Sequence, residues 1–220
     1  MIDLSDRLVA EMRDAPVRDW TGRAGDLEWS VERTLEHVAG SLGKYTLYLA
    51  SRASRYVPLR LNRMVGEVTR EDWLQGLTAC ARAFAGVAEA APLEARAFHA
   101  LGMADVEGYV ALACAHVMEH AHDVTLGLSV QYTPPPEICS AVCARLYPWV
   151  PAGDDPWATF LWIVGKTELP GQPPFDQAIP PLLGPLFEWD GAVPRAPAYP
   201  VAAYTFDATT SRWMPVEHPG

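Results

Sequence analysis

Six histidines occur in the chain, at positions 37, 99, 116, 120, 122 and 218, and two of them frame the segment HVMEH, residues 116–120. On a helix, residues four apart point the same way, so His116 and His120 can offer their imidazoles to one ion. Asp123, three residues beyond His120, stays close to that face, whereas His122 lies well round the helix and is a poor ligand. The segment is not the HExxH motif of zinc proteases: its second position is Val117, and Glu119 directly precedes the second histidine. An isolated HxxxH is a weak signal, and a third ligand must come from another element.

His37 is the best third ligand. It sits on a helical stripe with Leu35, Val38, Leu42 and Tyr45, where a histidine by itself would read as a hydrogen-bonded core residue. Beside HVMEH in a bundle-forming chain, ligation is the better reading. Three imidazoles with an open fourth position form a catalytic zinc arrangement; nickel, iron and cobalt accept the same donors. Ligating imidazoles need an acceptor on their other nitrogen, for which Asp123, Glu119 and Glu36 are candidates and Asp123 is favoured by its face. Glu119 and Asp123 are also the carboxylates placed to act as catalytic proton acceptors.

The elements that must position these residues are helical. Apolar residues Leu4, Leu8, Val9 and Met12 recur at helical spacing in DLSDRLVAEMRDA, which Pro16 ends. A second helix is expected from an N-cap at Ser30 to about Arg55, before Pro58. The third begins at Thr69, which with Asp72 resembles a capping box, and ends before Pro92. The fourth covers roughly Ala104 to Leu128. Four long helices of this kind predict a four-helix bundle. Two shorter helices follow, one opening at Pro134–Pro136 and running through EICSAVCARLYPW, the other opening at Asp155–Pro156 and carrying WATFLWIVGKTEL. Eleven of the 20 prolines lie at or beyond Pro170, which excludes a regular helix there and predicts an irregular wrap with a short hairpin in VAAYTFDATTSRWMPV. The expected organisation is all-α: a helical bundle over 1–169 and a proline-rich tail over 170–220 that packs on it.

Half of the 220 residues are apolar, enough for a sizeable core, and the formal net charge is −10. That charge argues against a nucleic-acid partner, which needs clustered Lys and Arg. The first residues lack the pattern of a signal peptide, and no apolar stretch is long enough to span a membrane, so a cytoplasmic location is expected. Four cysteines without a CxxC pair, Cys80, Cys114, Cys139 and Cys143, read as free thiols, mostly core residues.

Three segments then carry a resemblance: DLEWSVERTLEHVAGSLGKYTLYLA, AHVMEHAHDVTLGL and WATFLWIVGKTELPG. In order and spacing they resemble the DinB-like metalloenzyme superfamily, and more closely its mycothiol-dependent maleylpyruvate isomerase family, over about residues 1 to 171. The resemblance implies a DinB-like bundle in which His37 is the first metal ligand, His116 the middle one and His120 the last, with Asp123 matching the aspartate of the second motif. It implies a divalent transition metal, zinc or else nickel, and mycothiol or a similar small thiol as cosubstrate. The implied reaction is transfer of the thiol sulfur to a small electrophile, or isomerisation of that electrophile, by a monomer or homodimer. Two departures keep maleylpyruvate from being carried over as substrate. His116 stands where the isomerase branch often has glutamate, and Gly165–Lys166 replaces a glycine–arginine pair, keeping the charge while losing the planar fork. Water-based hydrolysis of an amide or ester, with Glu119 or Asp123 as proton acceptor, is the alternative chemistry, and a non-catalytic DinB-like protein is a third reading. Trp29, Tyr45, Tyr48, Tyr109, Trp157 and Trp162 could line a pocket, and Arg52, Arg55 and Arg60 could attract a carboxylated thiol.

Overall fold

The computed structural model describes residues 1–15, 20–57 and 64–195 and the backbone of two strands, 204–207 and 212–215. Among the described residues there are four long helices, α1 (Ile2–Asp14), α2 (Val31–Ser51), α3 (Arg70–Ala90) and α4 (Val106–Leu128), followed by the shorter α5 (Pro136–Leu146) and α6 (Pro156–Ile163). The long helices form a bundle-like core in which α2 packs against both α3 and α4, and α1 packs against the same two helices on the other side. α5 rests on α4, and α6 on α5. No helix among the described residues is long and apolar enough to cross a membrane.

Side-chain caps set where the helices begin. The Ser30 hydroxyl accepts from the Arg33 N–H at 3.1 Å. Thr69 and Asp72 form the expected reciprocal capping box. The Asp155 carboxylate accepts from Trp157 and Ala158 at 2.9 and 3.1 Å, with Pro156 opening α6.

Four boundaries differ from the sequence reading. α2 stops at Ser51, short of Arg55, because Arg52 takes the left-handed conformation (φ 48°) and its N–H turns back to the carbonyls of Leu49 and Tyr48. α4 starts at Val106 and not at Ala104, because residues 96–105 form an unexpected hairpin, β1 (Arg96–His99) with β2 (Gly102–Asp105), in which Arg96 faces Asp105 and His99 faces Gly102. Asp105 ends that hairpin and caps α4, accepting from the Gly108 N–H at 2.6 Å. α5 and α6 are shorter than expected, ending at Leu146 and Ile163. Pro16, Pro58, Arg60 and His218 lie outside the described residues.

The core runs through α1–α5 and includes Leu8, Leu35, Leu42, Leu74, Phe84, Met118 and Val124. Gly127 lets α4 approach the 23–24 segment, since a Cβ there would run into the Arg23 carbonyl. Residues after α6 are drawn onto the helices by backbone bonds: Leu182 N–H donates to Leu146 O at 2.7 Å and Asp105 N–H to Leu183 O at 3.1 Å. Arg145, nearly buried, ties this region together by donating to Leu182 O and Gly184 O, both at 3.0 Å, and to the Asp105 carboxylate. The hairpin expected in the tail is present as β3 (Tyr204–Asp207) paired antiparallel with β4 (Arg212–Pro215), Tyr204 facing Pro215.

Candidate metal centre

The packing of α2 on α4 brings His37 to the pair His116 and His120. Ring centroids lie 4.8 Å apart for His37–His116, 5.1 Å for His37–His120 and 4.6 Å for His116–His120. One nitrogen from each ring falls within 4.8 Å of the other two. An ion centred among atoms at that limit sits about 2.8 Å from each, so ring movements of less than about 1 Å reach the zinc–nitrogen distance of about 2.0–2.1 Å. His122 stands apart: its ring lies 6.0 Å from Trp157, on the side of α6.

Two observations test whether this set suits a metal. His116 Nε2 is buried and has no hydrogen-bond partner, an arrangement that costs free energy unless something satisfies the lone pair or N–H. His120 Nδ1 lies 3.2 Å from Asp123 Oδ2. An ionised carboxylate only accepts, so Nδ1 is the donor in this pair, and in the neutral ring Nε2 is the nitrogen that keeps a lone pair. The donor set therefore fits a divalent transition metal that accepts imidazole nitrogen.

The electrostatics agree. Burial pushes the His37 pKa down to about 4, helped by the charges of His120 and Arg33. Burial, with the neighbouring histidines His120, His37 and His99, drives His116 well below its ordinary value. Both rings are therefore neutral near pH 7, the form a metal requires. Burial alone would raise the Asp123 carboxyl, but hydrogen bonds from His120 and Lys166 outweigh it and hold the group below the usual carboxylate range. Glu119 goes the other way: its burial raises it, against opposition from His120 and Lys166. Two adjacent carboxylates on one helix are thus set for different states, one firmly ionised and one able to take a proton.

Lys166 is the residue whose placement the sequence reading missed. Its ammonium lies 2.8 and 2.9 Å from the two Asp123 oxygens and 4.0 Å from Glu119. Lys166 also lines a cavity of about 1000 Å³ with Trp162, Gln172, Phe175 and Gln177; none of the three histidines lines it, so Lys166 stands between that cavity and the centre.

The aromatic residues divide. The Trp29 ring lies 5.0 Å from His37, with the Arg33 guanidinium 5.2 Å from its centre. Tyr45 lies 6.2 Å from His116 and 5.7 Å from His99. Tyr48 and Tyr109 are pinned to backbone, Tyr48 accepting from the Val57 N–H at 2.9 Å and Tyr109 donating to the Phe98 carbonyl. Trp162 donates to Pro173 O at 2.9 Å, and Trp157 stacks on Phe160. Arg52 and Arg55 are exposed near the end of α2, and Arg60 is outside the described residues. The four cysteines are free. Burial raises Cys139 to about 12, aided by Cys143, and Cys143 to about 11, which makes both thiols inert at neutral pH.

In comparisons with known proteins, the chain matches no family model, no curated protein and no solved structure. The all-α architecture and its three clustered histidines are therefore what any functional assignment has to rest on.

Proposed function

We propose that the protein is a metal-dependent enzyme of DinB-like type, with residues 1–169 as its working unit and 170–220 as an appended tail. His37, His116 and His120 hold one divalent transition metal, zinc in the first instance. The observation that carries this reading is the meeting of three nitrogens within 4.8 Å, one from each histidine, with His116 Nε2 buried and without a hydrogen-bond partner. A metal held this way supplies an open Lewis-acidic position at which a small thiol or a water is deprotonated near neutral pH.

The chain's own groups divide the remaining work. Asp123 orients His120 through its Nδ1–H. Glu119, raised by burial, accepts a proton from the incoming nucleophile and returns it to the product. Trp29, against His37, shields that side of the centre from water. The resemblance of the three sequence motifs to the mycothiol-dependent isomerase family selects a low-molecular-weight thiol as nucleophile. Its S–H proton passes to the Glu119 carboxylate as sulfur bonds an electrophilic carbon of a second small substrate. Proton return yields a thioether, and expulsion of the thiol after rearrangement yields an isomer.

The test is to incubate zinc-loaded protein with mycothiol and a panel of small electrophiles, with thiol-free and His120→Ala controls. Conjugation or isomerisation that needs thiol, metal and His120 together is the expected result. Turnover of an amide or ester without thiol would replace this reading with hydrolysis, for which Glu119 is equally placed as proton acceptor.

A further inference from the structure

Lys166 is delivered to the centre by a built turn. At the end of α6 the Lys166 N–H returns to Leu161 O at 2.8 Å and the Gly165 N–H to Trp162 O at 3.1 Å, a helix-ending pattern that needs a left-handed residue directly before Lys166. Gly165 supplies it with φ +74°, and a Cβ there would press against the Gln177 amide at 3.2 Å. Gln177 latches the turn by donating to Ile163 O at 3.0 Å. The turn aims the lysine side chain back across α4, where only 19 % of it remains exposed and its partner Asp123 is 3 % exposed.

We propose that Lys166 is a positioning residue for the metal centre, acting through Asp123 on His120. The inference rests on the metal-binding reading above and extends it by one link. The Asp123 carboxylate can rotate about its terminal torsion, and a single hydrogen bond from His120 does not fix it. With the ammonium on both oxygens, at 2.8 and 2.9 Å, the carboxylate plane is set, and so is the direction in which Oδ2 receives the His120 Nδ1–H. His120 Nε2 is thereby aimed at the nitrogens of His37 and His116. Groups that orient a ligating histidine affect metal affinity by about 10- to 100-fold. Lys166 stands one residue further out, so the lower end of that range is expected. The lysine charge, on a side chain 19 % exposed, is met by Asp123, with Glu119 next nearest at 4.0 Å. Lys166, which stands where the resembled family has arginine, is thus assigned to the metal side of the site.

The measurement is zinc affinity by chelator competition, with the visible spectrum of the cobalt-substituted protein as a report on ligand geometry. It is made on the wild-type chain, Lys166→Arg, Lys166→Met and Lys166→Gln. The account expects about tenfold weaker zinc binding and a shifted cobalt spectrum for the methionine and glutamine chains. Arginine, whose fork can engage both Asp123 oxygens, should stay within about threefold of wild type. The glutamine chain carries the test should the methionine chain not fold. A folded Met or Gln variant with wild-type affinity and an unchanged cobalt spectrum overturns the proposal. Wild-type protein that takes up no metal would overturn the metal reading itself, an outcome distinct from the first.

Discussion

His120 Nδ1 lies 3.2 Å from Asp123 Oδ2, one helical turn further along α4, a contact that commits Nδ1 to the carboxylate and leaves Nε2 as the nitrogen open to a metal. The Asp123 carboxylate is therefore expected to matter for metal binding more than for the chemical step alone. Asp123→Ala should weaken zinc binding by about 10- to 100-fold. Asp123→Asn, which keeps an acceptor for the Nδ1–H, should lose less. Chelator-competition titration of the two variants decides it; equal affinity in Asp123→Ala and wild type would detach the carboxylate from the centre.

Glu119 is next to His120 in sequence but has a different part in the proposed function. Its raised pKa suits a group that accepts and returns a proton. Glu119→Gln should lower turnover by about 10²- to 10⁴-fold and leave zinc content close to one per chain. Loss of the metal along with activity would move Glu119 from proton transfer to metal retention.

The metal-free protein should lose stability in mild acid. His37 and His99 are both lowered to about 4, by burial first and then by neighbouring positive charge, whereas in the unfolded chain a histidine titrates near about 6.5. Above that value neither state takes up the proton, and stability is level. As pH falls from about 6.5 towards 4, the unfolded chain binds protons that the folded chain refuses, so stability drops by up to about 1.4 kcal/mol per pH unit for each group. Denaturant midpoints at pH 7.5, 6 and 5 measure this; a midpoint that does not fall would show that these rings are not held neutral. Zinc on His37 keeps that ring unprotonated in the folded chain alone, so the zinc-loaded protein should be more stable at pH 7.5 and lose stability more steeply as pH falls, with the His99 part unchanged.

Arg145 and Asp105 form a nearly buried ion pair, each side chain 9 % exposed. It holds the α4 N-terminus, α5 and residues 182–184 together. Asp105→Ala removes the α4 cap and leaves the guanidinium only the exposed Glu107 carboxylate at 3.8 Å, a loss expected to cost about 3–5 kcal/mol. Urea unfolding should show it as a large fall in the midpoint, and a shift under about 1 kcal/mol would mean that the arginine finds another partner.

The helices and the pairing of His116 with His120 were legible in the sequence because both follow local rules, whereas His37 was reached only through its place on the apolar stripe of the second helix and the expected bundle. Ser30, Thr69 and Asp155 announce their helices through side-chain chemistry, and the spacing of His116 and His120 has one geometric meaning on a helix. The 96–105 hairpin was not legible. Its four-residue strands carry no sustained alternation, and the burial of Ala97 and Ala104 comes from packing, not from pattern. Arg52 ending α2 in a left-handed turn was equally hidden, since arginine has no preference for that conformation. The Lys166–Asp123 bond joins residues 43 apart and depends on where α6 ends. The sequence put that end several residues too late, which left Lys166 inside a helix and away from α4.

Metal content tests the central claim most directly. Wild-type protein, purified and reconstituted with zinc, should hold close to one ion per chain by elemental analysis. His37→Ala should lose most of that occupancy, because it removes the only ligand that α2 contributes to the cluster. His122→Ala, whose ring lies towards Trp157, should keep it. Wild-type protein that retains no metal after reconstitution, or His37→Ala and His122→Ala chains that retain it equally, would contradict a centre built from His37, His116 and His120.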